Sequence, residues 1–160
     1  MSNNINYKLI PDKLYTQIVR NMPILCVDIL IKSGNYILLG MRNDYPLKGT
    51  YFTPGGRVLK GERMEDAVKR KAIEELGVEI KIEQELSSYE CIWNRGFSGE
   101  QQHTVGKFYL AKIIDNKDLM PNKSHSEFIW YPINSKELHP IIQSVLKGEK
   151  YIYYNDIVNR

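Results

Sequence analysis

The segment Met64–Leu76, "MEDAVKRKAIEEL", restricts the fold more than any other part of the chain. Its apolar residues, Met64, Ala67, Val68, Ala72, Ile73 and Leu76, fall at helical spacing, and Gly77 stands where such a helix stops. Met64, Val68, Ala72 and Leu76 form the side that faces a core. Arg70, Lys71, Glu74 and Glu75 gather on another side, one turn apart. A helix with one apolar stripe must bury it, and the rest of the chain offers mostly strands to bury it against.

The runs "ILCVDILIK" and "YILLGMR" flank the turn signal "SGN" and read as a β-hairpin. "VEIKIEQELSSYECIW" and "HTVGKFYLAKII" alternate as strands do, and "EFIWYPI" reads as a shorter strand. "NDYPLKGTYFTPGG" is punctuated by Pro and Gly and reads as loop, short strand, loop. Residues 11–21 put Leu14, Ile18 and Val19 on one face of a short helix, and a last helix is expected at about His139–Leu146. The tail "YIYYNDIVN" is aromatic and fits more than one element. Strands outnumber helices and do not alternate with them, so the expected class is α+β, a mixed β-sheet packed between helices. With 160 residues and no linker or repeat, residues 1–160 are expected to form one domain.

A net charge of +3 gives no reason to expect nucleic-acid binding and leaves room for an anionic small molecule. No apolar run reaches membrane-spanning length, so no membrane partner is expected. "MSNNINYKLI" lacks the apolar core of a signal peptide, and the cytoplasm is the default location. Cys26 and Cys91, both in apolar strand-like runs, read as buried free thiols.

The charged side of the helix belongs to a longer pattern. Gly56, Glu62, Arg70, Glu74, Glu75 and Gly77 are spaced as Gly, five residues, Glu, seven residues, Arg, then Glu-Glu, one residue and Gly. This resembles the Nudix box at every fixed position except Lys71, where the box carries a Glu. Carboxylates so placed suit a hard ion such as Mg²⁺, held by one or two carboxylates plus substrate phosphates. Outside this spacing they would read as a solvated face with Arg70–Glu74 and Lys71–Glu75 pairs. Relative to Glu, Lys71 changes the local charge from −1 to +1, which predicts fewer ions at this helix rather than none.

Four further stretches resemble one branch of that family, the GDP-mannose mannosyl hydrolases. They are "DKLYTQIVRNMPILCVDILI", "LLGMRNDYPLKGTYFTPGGRV", "FSGEQQHTV" and "PNKSHSEFIWY". The resemblance implies hydrolysis of a GDP-sugar, GDP-mannose or GDP-glucose, to GDP and free hexose. Water would attack C1 of the sugar with inversion, assisted by Mg²⁺ or Mn²⁺, in a homodimer. It implies Gly55, Glu75, Glu74 and Ser124 as metal ligands. It implies Arg42, Arg57 and Arg70 on the leaving diphosphate or its supporting carboxylates, and His125 as general base. Asp28, Arg42, Arg57 and His103 would contact substrate.

The chain also departs from the branch. Ser124 stands where the branch has Gln, and Thr104 where it has Tyr, and the loop between Trp93 and Phe97 is shorter. Read from the residues alone, His103 fits a hydrogen-bonded structural histidine, His125 a surface residue in a polar loop, and Asp28 a structural ion pair. His139 reads as a cap or surface residue. The tail tyrosines fit guanine stacking, core or dimer packing. Two other functions compete: a conventional pyrophosphohydrolase of nucleotide sugars or nucleoside triphosphates, and a non-catalytic nucleotide-sugar-binding domain.

Overall fold

A computed structural model describes residues 10–115 and 117–158. Residues 1–9, which carry most of the signal-peptide argument, lie outside them, as do residues 116, 159 and 160. The elements run α1 (Asp12–Asn21), β1 (Ile24–Ser33), β2 (Tyr36–Arg42), β3 (Tyr51–Phe52), β4 (Gly55–Arg57), α2 (Met64–Leu76), β5 (Ile80–Trp93), a short 3-10 turn (Phe97–Gly99), β6 (Gln102–Ile113), β7 (His125–Pro132), α3 (Pro140–Leu146) and β8 (Tyr151–Asn155). This is the mixed α+β architecture that the patterning predicts.

The strands form one sheet in the order β3-β2-β1-β6-β5-β8, with β4 added to β1 and β7 to β2. β1 runs parallel to β6 and β5 parallel to β8, and the remaining pairs are antiparallel. Alternation along β1 sorts the core into two layers. Val27, Ile29 and Ile31 pack on one face with Ala67, Val68, Ala72 and Leu76 of α2. Cys26 and Leu30 pack on the other with Ile141, Ile142 and Val145 of α3. α2 ends as expected, with Gly77 in the left-handed region at φ 75°. Among the described residues no helix is long and apolar enough to cross a membrane.

Three elements differ from the sequence reading. Gly55–Arg57, expected as loop, is a strand, because β1 offers it an open edge: Cys26, Val27 and Asp28 pair with Arg57, Gly56 and Gly55. β7 begins at His125, earlier than the apolar run, because His125 pairs with Arg42 at the end of β2. The start of the aromatic tail is β8, an edge strand beside β5 with Tyr151 and Tyr153 exposed and Ile152 buried.

The orientation of α2 gives a direct prediction. Leu76 is fully buried, whereas Ile73, counted among the apolar positions, is 57% exposed. Leu76→Ala is expected to lower unfolding free energy by about 2–5 kcal/mol. Ile73→Ala should change it by less than about 0.5 kcal/mol. Urea titration followed by circular dichroism distinguishes the two, and equal losses would mean that the helix is turned the other way.

Candidate active site

On the α3 face of the sheet lies a cavity of about 200 Å³. Its wall combines aromatic residues (Phe52, Tyr89, Trp93 and Phe108) with two arginines, Arg42 and Arg57, and one carboxylate, Asp28. Asp28 follows Cys26 on the cavity side of β1, so alternation alone aims it away from α2. Its Oδ1 accepts a hydrogen bond from Thr53 Oγ1 (2.9 Å) and its Oδ2 one from Tyr89 Oη (2.6 Å). Burial pushes the Asp28 carboxyl up to about 6, against the pull of those two hydrogen bonds and of Arg42. A carboxyl with a raised pKa in a cleft is a candidate for acid or base work.

Arg42 reaches the same cavity from the end of β2. Leu38 and Gly40 face the α2 side, with Leu38 packed in that core and Gly40 against His125 and Phe128. Strict alternation would send Arg42 after them. β2 ends at Arg42, which lines the cavity, its Nε donating to the Pro46 carbonyl at 2.8 Å; the register shift opposite Gly40 places its extra residue on β7. Arg57, opposite Cys26 on β4, lies 4.4 Å over the ring of Tyr15 from α1. Tyr15 in turn meets Phe97 edge-on at 4.7 Å. Gly55 must lack a side chain, because a Cβ there would fall 2.2 Å from the Val27 carbonyl oxygen.

The charged side of α2 is a closed set of ion pairs. Arg70 holds Glu62 through Nε (2.7 Å) and Nη2 (2.9 Å), holds Glu74 through Nη1 (3.0 Å), and donates to the Arg57 carbonyl (3.0 Å). Glu62 also caps Leu59 N–H at 2.9 Å. Burial pushes the Glu62 carboxyl up, but Arg70 and that N–H outweigh it and leave it below the usual range. Lys71 Nζ donates to Glu75 Oε1 at 2.6 Å and to Glu74 Oε2 at 3.2 Å. His125 Nδ1 lies 2.9 Å from Glu75 Oε2. Burial raises Glu75 too, yet the His125 contact and the Lys71 ammonium prevail and hold it at about 2.

Asp28, Arg42, Gly55 and Arg57 therefore share one cavity, while the other expected residues stand elsewhere. His125 is not in a solvated loop. It is fully buried between Glu75, Gly40 and Phe128 and does not line the cavity, and its Nε2 has no hydrogen-bond partner among the described residues. Its contact there is with Glu75, through Nδ1. Arg70 also stays outside the cavity and fixes the 57–62 loop to α2. His103 points to the opposite face from its neighbours Gln102 and Thr104, which line the cavity, and lies 3.1 Å from Glu90. Asp28 forms hydrogen bonds rather than the structural ion pair considered above. Both thiols line the cavity; burial keeps Cys26 protonated, its pKa pushed up to about 12, and raises Cys91 as well. His139 caps α3, its Nδ1 accepting from Ile141 N–H, and burial lowers it to about 4.

The expected metal ligands do not fit a divalent ion in this arrangement. Glu74 and Glu75 are both taken by the Lys71 ammonium, and the second oxygen of Glu75 by His125. Ser124 uses its backbone, accepting from Asn43 N–H and donating to Asn122 Oδ1. Among the described residues no three His, Cys, Asp or Glu side chains come together in a group able to hold a metal ion. Asn122, missed in the sequence reading, ties this region together: its amide donates to the Glu75 carbonyl while its Oδ1 accepts from Ser124 and His125 N–H. Tyr89 and Thr53, the partners of Asp28, were also missed, because nothing local in sequence joins them to it.

Residues 22–146 match the sequence profile of the NUDIX domain. The chain belongs to the Nudix family of hydrolases. It is 34% identical over 141 residues to the low-salt glycan biosynthesis protein Agl8 of Haloferax volcanii, covering 86% of this chain and 88% of that one. It is 42% identical over 67 residues to an ADP-ribose pyrophosphatase of Methanocaldococcus jannaschii, covering 42% of this chain and 40% of that protein. Among solved structures it resembles a MutT NUDIX hydrolase from Burkholderia pseudomallei, with TM-score 0.65 and 26% identity, over 81% of this chain and 99% of the other. Nudix enzymes generally use divalent metals such as Mg²⁺, which makes the Lys71 arrangement a departure within the family.

The raised pKa of Asp28 has a sign that can be checked. The folded state holds this proton more tightly than the unfolded chain does. The resulting stabilisation is complete below about 3.8 and is lost as pH rises through about 6. The stability of Asp28→Asn relative to the wild type should therefore increase across that window in thermal melts. A constant difference would mean that Asp28 keeps its ordinary pKa.

Proposed function

We propose that the protein hydrolyses a GDP-sugar, GDP-mannose or GDP-glucose, to GDP and free hexose by inverting attack of water at the sugar C1. The observation that carries this reading is the placement of two arginines and one perturbed carboxylate in a single aromatic-walled cavity. Arg42 and Arg57 suit the negative charge that builds on a departing diphosphate. Asp28 suits the general base. In the step, the water oxygen bonds to C1 while the bond from C1 to the β-phosphate oxygen breaks, and its electron pair leaves with GDP. The proton of the water passes to Asp28. Thr53 and Tyr89 orient the Asp28 carboxylate, which has lone pairs to spare for the water. His125 and Arg70 act at one remove, on Glu75 and on the loop after Arg57.

The similarity to Agl8, whose name places it in glycan biosynthesis, supports a sugar-linked substrate. In this reading the working unit is a homodimer in the cytoplasm. A second reading, cleavage within the diphosphate, is favoured by the shared segment with an ADP-ribose pyrophosphatase.

Proton NMR of GDP-mannose turnover separates the two. GDP with free β-mannose from the α-linked substrate is expected, whereas GMP with mannose 1-phosphate would establish the second reading. Asp28→Asn should lower kcat by about 10²–10⁴-fold. Retention of full activity by that variant would remove Asp28 from the role of base.

A further inference from the structure

The place where this family's box would add another carboxylate holds a lysine, and that lysine is built in. The Lys71 side chain is 13% exposed, and its ammonium bridges Glu74 and Glu75. Its stem lies flat against β4: a Cβ at Gly56 would fall 2.8 Å from Lys71 Cε and 3.2 Å from Nζ. Gly56 is itself part of the cavity wall, together with Gly55 and Arg57. The ammonium therefore sits directly behind the bare glycine backbone that an anion in the cavity would meet. Two further supports fix it there. His125 holds the other oxygen of Glu75, and Asn122 fixes the Glu75 carbonyl.

Charge counting agrees. Arg70 and Lys71 against Glu62, Glu74 and Glu75 give +2 − 3 = −1. A Glu at position 71 would give +1 − 4 = −3, a set with a clear need for a divalent ion. With Lys71 the need is largely met from within.

We infer that Lys71 is the resident cation of this site, neutralising Glu74 and Glu75 behind the cavity wall, and that the cavity holds a diphosphate through Arg42 and Arg57 without a divalent ion. The inference concerns how the anion is held, and it rests on the reading that the cavity takes a nucleoside diphosphate group.

The test combines GDP titration by calorimetry, in EDTA and in saturating Mg²⁺, with Mn²⁺ titration by electron paramagnetic resonance. Wild type should bind GDP with affinities that agree within about threefold in the two buffers, and should take up no stoichiometric Mn²⁺. Lys71→Met, which keeps most of the aliphatic stem, should lose about tenfold or more in EDTA. Lys71→Glu should gain one Mn²⁺ per chain and bind GDP about tenfold or more tightly with Mg²⁺ than without. Stoichiometric Mn²⁺ on the wild type, a larger response to Mg²⁺, or unchanged GDP affinity in Lys71→Met would overturn the inference; should Lys71→Glu not fold, the wild-type and Lys71→Met results decide it. The two readings fail separately. Metal-dependent binding with GDP and mannose as products sinks only this inference, and metal-independent binding with GMP as product sinks only the proposed reaction.

Discussion

One strand, β1, sorts the molecule into two faces. It is hydrogen-bonded to β6 along most of its length, to β4 at Cys26–Asp28 and to β2 near its end. Its even and odd positions go to opposite layers. Val27, Ile29 and Ile31 hold α2 against the sheet, while Cys26, Asp28 and Leu30 face the cavity and α3. The buried area on the first side anchors the charged helix. Asp28, between Cys26 and Leu30 on the second side, is buried among apolar side chains, which is why its proton is held so tightly. A one-residue slip of this strand would exchange the two sets, so packing on both faces fixes the register.

The two faces communicate through β4. Gly55 approaches Asp28, Gly56 approaches Lys71, and the Arg57 side chain lines the cavity while its carbonyl accepts from Arg70. Three residues thus connect the cavity with the ion-pair array on α2. That array is buried enough to be costly if broken: the Glu62 side chain is 1% exposed, and removing Arg70 would leave a buried charge without its chief partner. Its role is to fix where the backbone of β4 stands.

Much of the fold was legible because periodicity carries it. α1, α2, α3 and the long strands each present enough residues for alternation or a helical stripe to show. β4 and β8 were not legible for a physical reason. A three-residue Gly-Gly-Arg strand has no pattern of its own and exists because β1 has an edge to fill. β8 becomes a strand by lying alongside β5, far away in sequence. The site was legible as residue types through the family resemblance, but not as geometry. Nothing in "NKSHSE" shows that His125 turns inward, since that depends on a gap left by Gly40 on another strand. Nor does Asp28 reveal Tyr89 as its partner, 61 residues away.

The irregularity opposite Gly40 makes the length of β7 a structural quantity in its own right. His125 faces Gly40 together with Phe128 because one extra residue of β7 stands between them. Deleting a single residue at that point would leave the hydrophobic part of the strand intact yet turn the imidazole away from Glu75. Sequence comparisons that align this histidine by identity alone would then score as equivalent two chains that present opposite faces at the same position.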